Sequence, residues 1–230
     1  HRDLHSFPTR RSSDLVGVVF LVMFGVFVLA AMTLGFAANS FLWLFIGPTQ
    51  LFRILFNRRV RRNHAIEHAT VHILEERFGR LNIEGMAEET GFSLKGLRDR
   101  DLVSMAARAA LERLRSGESD LAIHPRCGTT LVVLNTLASV LFLLILAATG
   151  SLSLLTVAAS LLFAYALAPL ASRLAQKYVT TDTGVGDMEI LSVEVRSRRV
   201  AMSGLSFMVP ESLFVRTRSS GDSPVVEVID

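Results

Sequence analysis

The sequence predicts an α-helical multi-pass membrane protein. It has about three spans plus an interfacial or re-entrant segment, a small cytoplasmic α+β insert and a β-rich C-terminal tail. Three observations predict this class. Half of the 230 residues are hydrophobic and the mean hydropathy is +0.43, a balance that soluble domains rarely combine with long uncharged runs. Two stretches, residues 15–46 and 129–171, contain no Asp, Glu, Lys or Arg. The arginines gather beside those runs, as they do on the cytoplasmic side of membrane proteins. The net charge of +3 therefore points to the lipid bilayer as partner, not to nucleic acid. A single cysteine, Cys127, excludes an internal disulfide framework.

Taken in order, residues 5–15 (H-S-F-P-T-R-R-S-S-D-L) read like the in-frame translation of a sequencing-adapter oligonucleotide. With no apolar core and no cleavage pattern they are not a signal peptide, so residues 1–15 stand outside the expected fold. Residues 16–56 hold the first span, 16–38, which exceeds the roughly 20 residues one crossing needs. Asn39-Ser40 and then Gly47-Pro48 interrupt the apolar run. Residues 41–56 accordingly read as interfacial or re-entrant, with Trp43 and Phe45 near the headgroups and Arg53 snorkelling; a short true span is the alternative.

Residues 57–128 form the polar insert. Asn63 is the expected N-cap of a histidine-bearing helix that ends before Gly79. A short strand is expected at 91–96, a helix at 101–115 and an extended piece at 120–123. Residues 129–172 then make a two-span hairpin, 130–148 and 152–171, turning at the uncharged Gly150-Ser151 on the outer side. Residues 173–230 form the cytoplasmic β-rich tail, with a break at 219–224.

The chemistry centres on residues 58–72, R-R-V-R-R-N-H-A-I-E-H-A-T-V-H. His64 and His68 stand four residues apart, one above the other on a helix, where two imidazoles can share a metal ion. With Glu67 they spell His-x-x-Glu-His, the inverted zinc-enzyme signature. The plainer alternative is a solvated polar helix face. A second constellation is His124-Pro125-Arg126-Cys127-Gly128-Thr129. Cys127 would stand at the positive end of the next helix beside Arg126, and both effects favour thiolate; here the plainer alternative is a capping turn with Cys127 merely small.

These two motifs together resemble those of uncharacterised bacterial multi-pass membrane proteins, a family of unknown function of the YqhQ-like type described as predicted metal-dependent enzymes. The resemblance runs from His64 to Leu191 and takes in the segment from Gln176 through Thr180-Thr181-Asp182 to Glu189. It implies a bacterial inner-membrane location and a metal-dependent enzyme, without a substrate. The chain departs from it at Ala69, where the relatives carry Lys, and at His72, which has no counterpart.

The resulting expectation is a membrane hydrolase with its site at the cytoplasmic face. His64 and His68 would bind a divalent metal, Zn²⁺ by the donor set, with His124 or Cys127 as third ligand and Glu67 as general base. Thr180 and Thr181 would orient a ligand or substrate, Asp182 would support an imidazole, and His72 would be peripheral. A lipid or a membrane-bound peptide suits the location. Two other classes remain open: a non-enzymatic protein stapled by a structural His/Cys metal site, and a thiol enzyme with Cys127 as nucleophile and His124 or His68 as base. Glu67 discriminates the first pair, because a structural site would not notice its loss.

Overall fold

The computed structural model of the protein describes residues 10–202 and 205–221. Of residues 1–15, read as adapter-like, 1–9 lie outside them, while 10–15 are described and are helical. The chain divides into two units, residues 1–45 with 135–166 and residues 46–134 with 167–230. Among the described residues, three helices are long and apolar enough to cross a membrane: Leu15–Leu55, Gly128–Thr149 and Leu154–Thr180.

The first of these corrects the sequence reading. Helix α1 (Arg10–Leu55) is continuous over 46 residues and carries Pro48 inside it. Neither Asn39-Ser40 nor Gly47-Pro48 breaks it, so there is no separate interfacial or re-entrant segment. The polar residues fold their hydroxyls back onto the helix, Ser40 Oγ to Phe36 O at 2.8 Å and Thr49 Oγ1 to Ile46 O at 2.9 Å. Pro48 removes only one N–H, and a helix otherwise satisfies its own backbone in apolar surroundings. In the first unit α1 meets α4 (Gly128–Thr149) edge to face, the Phe36 and Phe142 rings 5.2 Å apart. Small buried residues, Ser139 on α4 with Ser160 and Ala164 on α5 (Leu154–Ala175), keep its interior tight. Outward-facing Phe20, Phe24 and Phe27 suit a lipid surround.

The second unit is built around α2 (Arg58–Phe78), followed by β1 (Glu84–Glu88), β2 (Gly91–Lys95) and α3 (Arg100–Arg115). After α5 come a π-helical turn, Gln176–Thr180, then β3 (Met188–Met202) and β4 (Leu205–Ser219). The four strands form one sheet in the order β1-β2-β4-β3, every neighbouring pair antiparallel. Hence the tail is not an appendage. Its strand β4 pairs with β2 of the insert, and the two regions share one core in which Ile66, Phe92, Leu94, Val103, Leu213 and Val215 are buried. The edge strand β1 was missed because Glu-Gly-Met-Ala-Glu carries little intrinsic strand preference. The piece expected to be extended at 120–123 is mostly a 3₁₀ turn, Ser119–Ala122.

α2 is capped by Asn57, whose Oδ1 accepts from the Val60 N–H at 3.1 Å, not by Asn63. Asn63 lies wholly buried six residues further in, donating to Glu88 O at 2.8 Å and accepting from Thr217 Oγ1 at 2.7 Å. The preceding arginines make defined structural contacts. Arg58 pairs with Asp182 at 3.1 Å and Arg62 with Asp187 at 3.0 Å. Arg61 donates to the Tyr178 and Thr181 carbonyls at 3.2 and 2.9 Å. The segment leaving α5 is thereby fastened to the first turns of α2.

Candidate metal centre

Residues 63–71 of α2 are all buried, although the run includes Asn63, His64, Glu67, His68 and Thr70. The solvated-face alternative therefore fails: a polar helix buried on every side must satisfy its polar groups internally. His64 Nδ1–H donates to the Thr180 carbonyl at 2.9 Å, and His68 Nδ1–H donates to the Ala122 carbonyl at 2.7 Å. Each bond fixes the tautomer and leaves the Nε2 lone pair free, the arrangement by which outer partners orient metal-binding imidazoles. The two rings stand 4.2 Å apart. Cys127, reaching in from the loop before α4, places Sγ 3.2 Å from His64 Nε2.

One ligand atom from each of His64, His68 and Cys127 lies within 4.8 Å of the other two. That is slightly open against the roughly 3.3–3.8 Å between donors around one tetrahedral zinc. Two buried polar atoms at this place have no hydrogen-bond partner, His68 Nε2 and Glu67 Oε2. Such orphans are costly unless something pairs with them. The donor set of two neutral imidazoles and a sulfur suits Zn²⁺.

Electrostatics follow burial. Burial pushes the Glu67 carboxyl up to about 8; His64 pulls it down and Cys127 pushes it further up, but burial dominates. Burial, then His64, holds His68 well below the ordinary histidine value, so it is neutral. Burial also raises the Cys127 thiol, and this corrects the thiolate expectation. The helix terminus does address the sulfur, since the Thr129 N–H donates to Sγ at 3.4 Å, yet desolvation wins. Without a metal this thiol is a weak nucleophile, which counts against the thiol-enzyme class.

The other expected residues fall elsewhere. His124 does not join the cluster. Its Nε2–H faces Glu75 Oε2 at 3.4 Å and its Nδ1 accepts from the Arg126 N–H at 3.3 Å, so both ring nitrogens are engaged. His72 donates to Ile123 O at 2.9 Å and packs edge-on against His124, 4.9 Å between ring centres. Thr180 contributes its carbonyl to His64 while its own hydroxyl is buried without a partner. Thr181 bonds its hydroxyl to Gln176 O at 2.7 Å. Asp182 supports no imidazole; its carboxylate is taken by Arg58.

Residues that the motifs did not reveal complete the site. Glu75 ion-pairs with Arg126 and so holds the cysteine loop against α2. Gln176, also buried, accepts from the His124 N–H at 2.8 Å. Gly85 of β1 lies against Glu67 so closely that a Cβ there would run into Oε1. A cavity of 440 Å³ opens over the cluster; His124, Arg126, Thr129 and Glu84 line it together with His64, Glu67, His68 and Cys127, and Ile54, Val60, Val71 and Ile83 give it an apolar side.

Comparison with known proteins yields a family and no activity. An uncharacterised protein of the cyanobacterium Picosynechococcus sp. is 42% identical over 83 residues, covering 32% of this chain and 40% of that protein. The chain thus aligns with well under half the length of this curated relative. No solved structure matches. The match to a family profile covers residues 59–193, from the basic start of α2 into β3, and includes every residue of the cluster. The chain belongs to the family described as a domain of unknown function, DUF6391.

Proposed function

We propose that this protein is a metal-dependent hydrolase in which His64, His68 and Cys127 hold a divalent ion, Zn²⁺ by its donor set, and Glu67 is the general base. One observation carries the reading. Two imidazoles are pinned through Nδ1 to backbone carbonyls, which leaves Nε2 to a metal. His64 Nε2 lies 3.2 Å from Cys127 Sγ, and one nitrogen of each ring falls within 4.8 Å of that sulfur beside a buried carboxyl group that has an unpartnered oxygen. Three protein ligands leave a tetrahedral ion one open position, the pattern of catalytic zinc, whereas structural zinc has four.

Such an ion, when bound, lowers the pKa of a coordinated water and polarises a carbonyl. The chain supplies the rest. The carbonyls of Thr180 and Ala122 keep both imidazoles in the ligating tautomer. Glu67, set between the two histidines in sequence and against Gly85, is held neutral by burial. Beside a bound cation it would ionise, and it then takes the proton from the attacking water and returns it to the leaving group. The apolar cavity wall limits competing water. The resemblance to predicted metal-dependent membrane enzymes supports the same class, and the arginines flanking the apolar helices favour a cytoplasmic-facing site.

The test is metal analysis of the purified protein alongside turnover of p-nitrophenyl acetate. Glu67→Gln should keep the metal and lose turnover by about 10²–10⁴-fold, the usual share of general-base catalysis. Metal retained with turnover unchanged would replace this reading with a structural His/Cys site.

A further inference from the structure

We propose that β1 is the docking edge for an extended polypeptide, which makes the substrate class of this site a peptide bond; the cleavage part rests on the hydrolase reading above. The argument begins with pairing. β1 is an edge of the sheet, bonded on one side only, to β2. Glu88 and Gly91 flank the two-residue turn Glu89-Thr90, so they form the first bonded pair, and bonded pairs recur at Met86–Ser93 and Glu84–Lys95. Gly85 and Ala87 therefore turn their N–H and C=O groups away from β2.

That open side borders the chemistry. Residues 83–87 all line the cavity that contains His64, Glu67, His68 and Cys127. Their side chains alternate between the two faces of the sheet, which puts the cavity along the strand's edge. The Glu67 carboxylate lies over the face of β1 at Gly85. Charges sit at Glu84 and Glu88, while Gly85-Met86-Ala87 between them is uncharged. Its shortness and its two end charges guard β1 against pairing at large, while the uncharged centre remains available on the cavity side. A row of alternating donors and acceptors recognises another backbone in preference to a sugar, a nucleotide or a lipid tail. A strand added there would run along the cavity wall, in the same cavity as Glu67 and the three donors. In the cleavage step the water oxygen bonds to the peptide carbonyl carbon and the C–N bond breaks. The leaving nitrogen receives the proton that Glu67 removed from the water, giving a carboxylic acid and an amine.

The experiment uses the full chain in detergent, loaded with cobalt, and fluorescein-labelled casein as an unfolded polypeptide. Hydrogen exchange is read on the segment containing residues 83–89, and binding by anisotropy. Casein should bind and slow exchange at β1, and Ala87→Pro, which deletes one outward N–H without touching the β2 ladder, should weaken binding about tenfold with cobalt content unchanged. If Ala87→Pro also loses cobalt, the exchange result on the unsubstituted protein decides. Casein that fails to bind, or binds without slowing exchange at β1, overturns the proposal. Glu67-dependent hydrolysis of p-nitrophenyl acetate without casein at β1 would leave the hydrolase reading standing and remove this substrate class. Casein held at β1, with neither casein nor ester cleaved, would remove the hydrolase reading and leave the docking edge.

Discussion

Gly85 Cα faces the Glu67 carboxylate with no room for a side-chain carbon between them. The glycine is required by space, not by backbone conformation, because among the described glycines positive φ occurs at Gly79, Gly91, Gly96, Gly117 and Gly150 and not at Gly85. Gly85→Ala should thus displace Glu67 and destabilise by about 1–3 kcal/mol, the usual cost of overpacking. Shortening Glu67 to Ala in the same chain should recover part of that loss. Thermal unfolding of the two single variants and the double variant measures the coupling; additive losses would mean the two residues do not compete for this space.

The histidines should separate cleanly by metal content. His64→Ala, His68→Ala and Cys127→Ser each remove a donor from the converging set and should lose the ion on purification. His124→Ala should retain it, since both nitrogens of that ring are already engaged by Glu75 and Arg126. Because a ligand that binds only the folded state raises Tm, chelator treatment should lower Tm in the unsubstituted protein and in His124→Ala, but not in the three donor variants. Loss of metal in His124→Ala would put that residue back among the ligands.

How much of this was legible depends on how local each signal is. The i, i+4 pairing of His64 with His68 follows from helix geometry alone, and the loop carrying Cys127 had a distinctive composition. Which donor that loop turns inward was not legible, because the answer lies in Glu75, a residue with no motif of its own. The role of Arg58, Arg61 and Arg62 was half read. Their charge reads in sequence as a membrane flank, whereas the partners they make, Asp182, Asp187 and two backbone carbonyls, lie more than a hundred residues away. The continuity of α1 was misread, since Gly-Pro breaks helices in water more readily than in an apolar surround. The tail looked separable because nothing local in β4 announces β2 as its neighbour.

Gln176 offers a test of positioning. Its Oε1 accepts from the His124 N–H at 2.8 Å and its Nε2 donates to Ser172 Oγ at 3.1 Å. It also begins the π-helical turn whose last residue, Thr180, holds His64. Gln176→Ala leaves a buried N–H without an acceptor, a loss of about 1–3 kcal/mol. The cysteine loop should loosen with it, so cobalt affinity should fall while all three ligands remain. Unchanged affinity together with a lower Tm would restrict Gln176 to a structural role.

Acid should open the site through Glu75. Partial burial pushes this carboxyl up, but hydrogen bonds from Arg126, the Leu81 N–H and His124 outweigh it and hold the group at about 2, against an ordinary 4.5. A carboxyl depressed by folding stabilises the native state fully above its unfolded value and loses that contribution as pH falls toward its folded value. The window here runs from about pH 5 down to pH 2. Protonation would release Arg126, whose side chain also donates to Leu81 O at 2.8 Å, and with it the loop that carries Cys127. Asp182, Asp187, Glu118 and Glu194 are depressed as well, so the total acid slope belongs to several groups. The difference between the unsubstituted protein and Glu75→Gln isolates one of them. Plotted as Tm against pH, the two curves should lie apart at neutral pH, with Glu75→Gln the less stable, and converge between pH 5 and 2. Parallel curves across that window would show that Glu75 does not clamp the loop in the folded chain.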